Sequence, residues 1–257
     1  MLISIEGNIG SGKSTFFNEL KTYFLKKYNS NSKKIYFLDE PVDVWESITN
    51  SDNKNILEEF YKDKSKYSFC FQVLAFSSRM QKLKEIIDSK KYDVIFMERS
   101  VYSDYNVFVR MLRKLKCMND LEFKIYNNLF DTFTKQINYI NLIYIDTSPE
   151  ICLERITKRN RPGENISLEY LKDCYDMHED WLASENKIIT FNGNQDKSIY
   201  SQWIDIVKQL IMYSYEHVTE DGDSSPCFYN DEKITLKRKN NAFNNASERA
   251  EKLNKTS

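Results

Sequence analysis

Glycine is scarce in this 257-residue chain, which has six, with four prolines and two histidines. No two-residue turn joins two candidate strands, so an antiparallel all-β fold is disfavoured. Long apolar runs are missing too: nothing approaches the ~18 uninterrupted apolar residues that a membrane-spanning helix needs. The first apolar run, Met1–Ile5, is too short for a signal-peptide core and has no basic region before it. An Arg- and Ser-rich presequence is likewise missing. The expectation is a cytoplasmic protein that does not engage membranes. The five cysteines (Cys70, Cys117, Cys152, Cys174, Cys227) are odd in number and form no CxxC pair. Metal-thiolate spacing and a disulfide framework are both disfavoured, and reduced thiols of a cytosolic protein are expected. An overall basic charge is also lacking. From Lys233 on, seven Lys/Arg face two Glu, a net of +5 against −1 for the whole chain, which leaves −6 on residues 1–232. So acidic a body is a poor partner for polymeric nucleic acid.

What is present is a globular pattern, 41% hydrophobic and 29% charged, long enough for one large domain or two small ones. Compact apolar runs predict strands at Leu2–Glu6, Lys34–Asp39, Tyr92–Met97, Asn141–Asp146 and Lys187–Asn192. Helical spacing falls at Ser14–Tyr28, Lys66–Ser89, Tyr105–Lys116, Leu121–Gln136, Pro149–Lys158, Ser167–Ser184 and Ser198–Tyr215. Strand and helix alternate, which predicts an α/β fold: a five-stranded parallel sheet with helices on both faces. Residues 1–218 form the expected domain. Thr219–Ser257 is rich in Asn, Ser, Lys, Asp and Glu, with few apolar anchors. It buries too little to offset the entropy of ordering and is expected to be a disordered tail.

The strongest motif follows the first strand: Gly7, Asn8, Ile9, Gly10, Ser11, Gly12, Lys13, Ser14 and Thr15. It fits GxxxxGK[ST] and lies between a predicted strand and a predicted helix, the setting of a P-loop NTPase fold. Gly7, Gly10 and Gly12 let successive N–H groups aim at phosphate oxygens, and the helix start adds its positive dipole end. Lys13 reaches the β- and γ-phosphates, and the Ser14 hydroxyl is placed to ligate Mg²⁺. A nucleoside triphosphate such as ATP is the expected ligand.

Ligands of open parallel sheets gather at the carboxyl ends of the strands. The second strand ends in Asp39-Glu40-Pro41-Val42 with Trp45 following; the third ends in Glu98-Arg99-Ser100 and runs on to Asp104. Glu40 suits a general base for an attacking hydroxyl, Glu98 suits the metal or its water shell, and Arg99 suits a developing negative charge. After the fourth strand, Arg155, Lys158, Arg159 and Arg161 crowd together before Pro162-Gly163-Glu164. This stretch, about 155–165, reads as a basic lid over a transferring phosphoryl group.

Taken in order, these residues resemble the deoxyribonucleoside kinases of the deoxycytidine, deoxyguanosine and deoxyadenosine kinase type. The likeness runs along Leu2–Ile206. It is carried by Gly7–Thr15, Glu40-Pro41-Val42 with Trp45, Tyr61, Phe71-Gln72, Arg79, Glu98 to Asp104, Phe108, the lid, Ile166–Leu171 and His178–Leu182. The resemblance implies that Glu40 activates the 5′-hydroxyl of a deoxynucleoside and that Arg99 steadies it. It implies that Tyr61 and Glu164 bind the 3′-hydroxyl, Gln72 pairs with the base edge, and Trp45 and Phe108 pack around the ring. Arg155, Arg159 and Arg161 would bind ATP, Arg159 and Arg161 clamping the phosphates, and a loop near Asn192–Gln195 would hold the adenine. A homodimer, often inhibited by its end-product triphosphate, is implied as well.

Relatives accepting cytosine or purines resemble this chain at Ala75, Arg79 and Asp104. Asp104 can accept from an exocyclic amine and Arg79 can donate to purine N7 or O6, whereas thymine offers no amine. Deoxyadenosine, deoxyguanosine or deoxycytidine is therefore expected over thymidine. Two rival readings are a thymidylate-kinase-like monophosphate kinase and a non-catalytic nucleotide-binding scaffold. The first usually carries Asp-Arg where this chain has Glu98-Arg99. The second would be expected to lose Lys13, Glu40 or the lid arginines, and all are present.

Overall fold

The computed structural model describes residues 1–27, 34–135, 137, 140–161, 164–185 and 188–216, with side chains to 212. The expected tail, with Cys227, lies outside the described residues, as do Tyr28, Gln136, Lys187 and the Pro162-Gly163 step of the lid.

Five strands, β1 (Leu2–Glu6), β2 (Ile35–Leu38), β3 (Val94–Glu98), β4 (Ile140–Asp146) and β5 (Ile188–Asn192), form one sheet in the order β2-β3-β1-β4-β5. Every pairing is parallel. The α/β expectation is met, with each strand found within two residues of its predicted bounds. Alternation within the strands explains why both faces are covered. Leu2, Ile95, Met97, Leu142 and Tyr144 pack into one core cluster, while Ile3, Ile5, Phe96, Ile143 and Phe191 pack into the other.

Helix α1 (Lys13–Lys27) leaves the phosphate loop directly and carries no acidic residue in its first turn, so its positive end stays free for an anion. It and α10 (Tyr200–Glu216) cover one face of the sheet. The long α4 (Lys64–Asp88) and α9 (Leu168–Leu182) cover the other. Helices α7 (Asp120–Thr134) and α8 (Pro149–Arg159) lie near their predicted bounds.

Three features depart from the predicted elements. Helices α2 (Val42–Ser47) and α3 (Ile56–Lys62) fall where no helix was expected. They span six and seven residues, too few to display a helical period, and Asn55 rather than an apolar pattern announces α3 by capping the Glu58 N–H. The expected helix Tyr105–Lys116 starts earlier and is not uniform. It comprises α5 (Val101–Ser103), a π-helical turn (Asp104–Val109) and α6 (Arg110–Lys114). Ser100 and Ser103 form a reciprocal cap at its start, which anchors that earlier boundary.

Candidate active site

The carboxyl ends of β1, β2 and β3 open into a cavity of about 920 Å³. Register explains why: Ile5 of β1 sits beside Glu98 of β3, so the loop leaving β1 faces the acidic end of β3. The loop needs its glycines at specific places. Gly10 has φ +79°, and a Cβ there would lie 2.6 Å from the Cys152 carbonyl; Gly12 has φ +101°. Within the loop, the Asn8 amide donates to the Leu171 carbonyl at 2.8 Å and Ser11 is buried, while Ile9, Gly10, Gly12, Lys13, Ser14 and Thr15 line the cavity.

Lys13 is buried and its ammonium donates to the Asn8 carbonyl at 2.7 Å. Burial, helped by the nearby Arg99 charge, pulls it down to about 7. The Ser14 hydroxyl donates to Glu98 Oε1 at 2.5 Å. Burial first, then the Glu40 charge, pushes the Glu98 carboxyl above its ordinary range. A hydroxyl and a carboxylate so close beside the phosphate loop are hard oxygen donors that fit Mg²⁺, an ion usually held by one or two protein groups plus phosphates.

Opposite the loop, Glu40 Oε1 meets Arg79 Nη2 at 3.1 Å and Arg99 Nε at 3.5 Å. Burial alone would raise the Glu40 carboxyl, but the Arg79, Arg99 and Lys13 charges outweigh it and hold Glu40 below the usual carboxylate range. It is therefore ionised at neutral pH, the form a base requires. Arg99 adopts φ +63°, a left-handed conformation rare for a side-chain-bearing residue. Its backbone N–H bonds the Ile5 carbonyl at 3.1 Å and its guanidinium donates to the Gly7 carbonyl at 2.9 Å, so β1 holds the turn in place. The same guanidinium lies 4.9 Å from the Phe108 ring centre.

The inner end is walled by rings. Trp45 is anchored by its indole N–H to Ser78 Oγ at 3.0 Å and meets Phe71 edge-on at 5.4 Å. Gln72 is buried and lines the cavity beside Ala75, Asp104 and Phe108. The π-helical turn carries Asp104 and Phe108 four residues apart, and both reach the cavity. Arg79 is not among the lining residues. It donates to Asp104 Oδ2 at 2.9 Å, Asp104 Oδ1 at 3.3 Å, the Glu98 carbonyl at 2.8 Å and Glu40 at 3.1 Å. Burial pushes the Asp104 carboxyl up and Arg79 opposes it, while Arg79 itself stays charged.

The lid residues are spread along the opposite rim. Arg155 is pinned, donating to the Ser11 and Gly193 carbonyls, each at 2.9 Å, and so joins the phosphate loop to the turn after β5. Arg159 pairs with both oxygens of Glu164, at 2.7 and 2.6 Å, and Arg161 meets Glu46 at 3.4 Å. Tyr61 lines the cavity, and the Glu164 charge acts on its phenol, which burial pushes up. Phe60, Tyr170 and Tyr200 also line it and were not among the expected site residues. Tyr200 gives no motif signal, yet a side chain at Gly12 would meet its hydroxyl at 3.3 Å.

A parallel sheet with a phosphate loop, an ionised carboxylate facing it and a basic rim defines a P-loop enzyme that handles nucleoside triphosphates. Residues 3–223 match the deoxynucleoside kinase family. The chain is 34% identical to deoxycytidine kinase of Homo sapiens (81% of this chain, 90% of the relative). It is 33% identical to a probable deoxycytidine kinase of fowlpox virus (81% and 88%) and 32% identical to a mitochondrial deoxyguanosine kinase of Xenopus laevis (74% and 76%). The chain belongs to the deoxynucleoside kinase family and is an enzyme of that family, with a nucleoside triphosphate as phosphate donor.

Proposed function

We propose that this kinase transfers the γ-phosphoryl group of ATP to the 5′-hydroxyl of a deoxyribonucleoside in nucleotide salvage, favouring purine deoxynucleosides or deoxycytidine over thymidine. The observation that carries the reading is Glu40, a carboxylate kept ionised between Arg79 and Arg99 and facing the phosphate loop. Glu40 takes the proton of the 5′-hydroxyl as its oxygen attacks the γ-phosphorus, and the bond to the β-phosphate oxygen breaks. Arg99 steadies the attacking oxygen. Lys13, Arg159 and Arg161 neutralise the phosphate charge, and the α1 amides hold the β-phosphate. Ser14 and Glu98 would hold Mg²⁺, which would supply charge neutralisation to the phosphates. Arg155 fixes the phosphate loop to the turn that receives the adenine.

The acceptor lies along Trp45, Tyr61, Gln72, Phe108 and Glu164. Tyr61 and Glu164 take the 3′-hydroxyl, which requires Glu164 to exchange its bonds with Arg159. Gln72 and Asp104 read the base edge. Arg79, with four of its donor contacts already engaged, sets the orientation of Asp104 and Glu40. The enzyme is read as a cytoplasmic homodimer whose partner covers the exposed face of α7. No helix of the described residues is long and apolar enough to cross a membrane.

A substrate panel tests this reading. Purified protein with Mg²⁺-ATP is offered the four deoxynucleosides, a ribonucleoside and thymidine monophosphate. Conversion of deoxyadenosine, deoxyguanosine or deoxycytidine to 5′-monophosphates ahead of thymidine supports it. Phosphorylation of thymidine monophosphate alone, or ATP binding with no turnover, overturns it.

A further inference from the structure

Lys64 opens α4 and belongs to none of the motifs that carry the family likeness. Its half-buried side chain brings Nζ over three aromatic rings: Tyr170 at 5.2 Å, Tyr61 at 5.8 Å and Phe60 at 6.0 Å from the ring centres. Phe60 and Tyr61 come from α3 and Tyr170 from α9, elements more than a hundred residues apart in sequence. All three rings line the acceptor end of the cavity. Phe60 continues into Phe71 at 4.9 Å, which meets Trp45, so the cage forms the outer end of one aromatic wall. A cation attracts the negative face of each ring and so draws together side chains that dispersion alone would leave free to slide.

We propose that Lys64 is a positioning residue for the nucleoside: its ammonium fastens α9 to α3 through three ring faces and fixes the wall on which the deoxyribose and base rest. This inference rests on the proposed function, which makes that end of the cavity the acceptor site. Lys64 acts through Tyr61 and Tyr170, ordering them before the acceptor arrives. Removing it adds an ordering cost to acceptor binding, leaving donor binding and the transfer step alone.

The variants Lys64→Met and Lys64→Arg separate charge from bulk. Lys64→Met is expected to raise the KM for the preferred deoxynucleoside about fivefold, with kcat and the KM for ATP within about twofold, and Lys64→Arg to restore most of the loss. An unchanged nucleoside KM in Lys64→Met, a parallel change in the ATP KM or kcat, or an arginine variant no better than methionine would overturn the inference. A wild-type chain that phosphorylates no nucleoside overturns the proposed function instead. The cage is then read directly by NMR with ¹³Cε-labelled lysine, assigned from the Lys64→Met spectrum. Ring currents should shift the Lys64 ε-methylene protons upfield of the other lysines, and a shift within their range refutes the cage.

Discussion

At Lys13, burial and the Arg99 charge compete against Glu98 and Glu40, and the ammonium titrates at about 7. Binding polyphosphate favours the charged form and so raises this value in the complex. The sign follows: affinity for ATP is full below pH 7 and falls as pH climbs above it, because the free enzyme must then take up a proton to bind. The KM for ATP, measured from pH 6 to 9, is expected to rise by close to tenfold per unit above about 7.5. A flat profile would mean that Lys13 stays charged without phosphate. Glu40 behaves oppositely, since the surrounding cations hold its carboxyl below the usual range and it remains ionised throughout that window. Glu40→Gln keeps size and removes the base, so kcat should drop by roughly 10²–10⁴ while the chain still binds ATP. A loss below about tenfold removes Glu40 from that role.

Between α4 and the π-helical turn runs the ion pair of Arg79 and Asp104, whose carboxylate lines the cavity. The extra residue of a π turn shifts side chains relative to a regular helix, and here Asp104 and Phe108 both reach the cavity. Replacing the pair together, Arg79→Met with Asp104→Ala, removes the acceptor of an exocyclic amine without leaving one buried charge unmatched. Turnover of thymidine relative to deoxyadenosine should rise. Arg79 also touches Glu40, so total kcat should fall at the same time. A thymidine ratio that stays constant rejects Asp104 as a reader of the base. The sequence made Lys13, Glu40, Glu98, Arg99 and the lid arginines visible because they sit at strand ends or in a spaced cluster, whereas Arg79, in the middle of α4, was marked only by the family resemblance. The sequence concealed Arg79's attachment to Glu40, which joins the middle of α4 to the segment just after β2. It also concealed α2, α3 and the π turn, whose lengths fall below or outside a helical period. Lys64 and Tyr200 were hidden for the same reason as each other. Their neighbours come from distant elements, and nothing in the residues around them in sequence marks the meeting.

Across the whole molecule, the sheet order places β1 centrally, with β3 and β2 on one side of the phosphate loop and β4 and β5 on the other. Helix α7 lines no part of the cavity and is apolar on two sides. Inward, Tyr126 and Phe130 are buried against Phe76 and Tyr105. Outward, Leu121, Ile125 and Phe133 are 71%, 51% and 52% exposed. A helix apolar on both sides is the pattern of one buried on both sides, and the spacing of Leu121 and Ile125 puts them on adjacent turns of one stripe. A second copy of the chain offering the same stripe about a two-fold axis would cover it with like against like. The wild-type chain should therefore sediment at twice the chain mass. Ile125→Asp places a charge at the centre of that stripe, where it costs little in a free chain because the position is open to water. It should shift the sedimenting species to the chain mass at micromolar concentration while leaving the far-UV spectrum unchanged. No residue of α7 lines the cavity, so the monomer should retain ATP binding. A wild-type chain that sediments as a monomer, or an Ile125→Asp variant that remains dimeric, shows that the partner sits elsewhere.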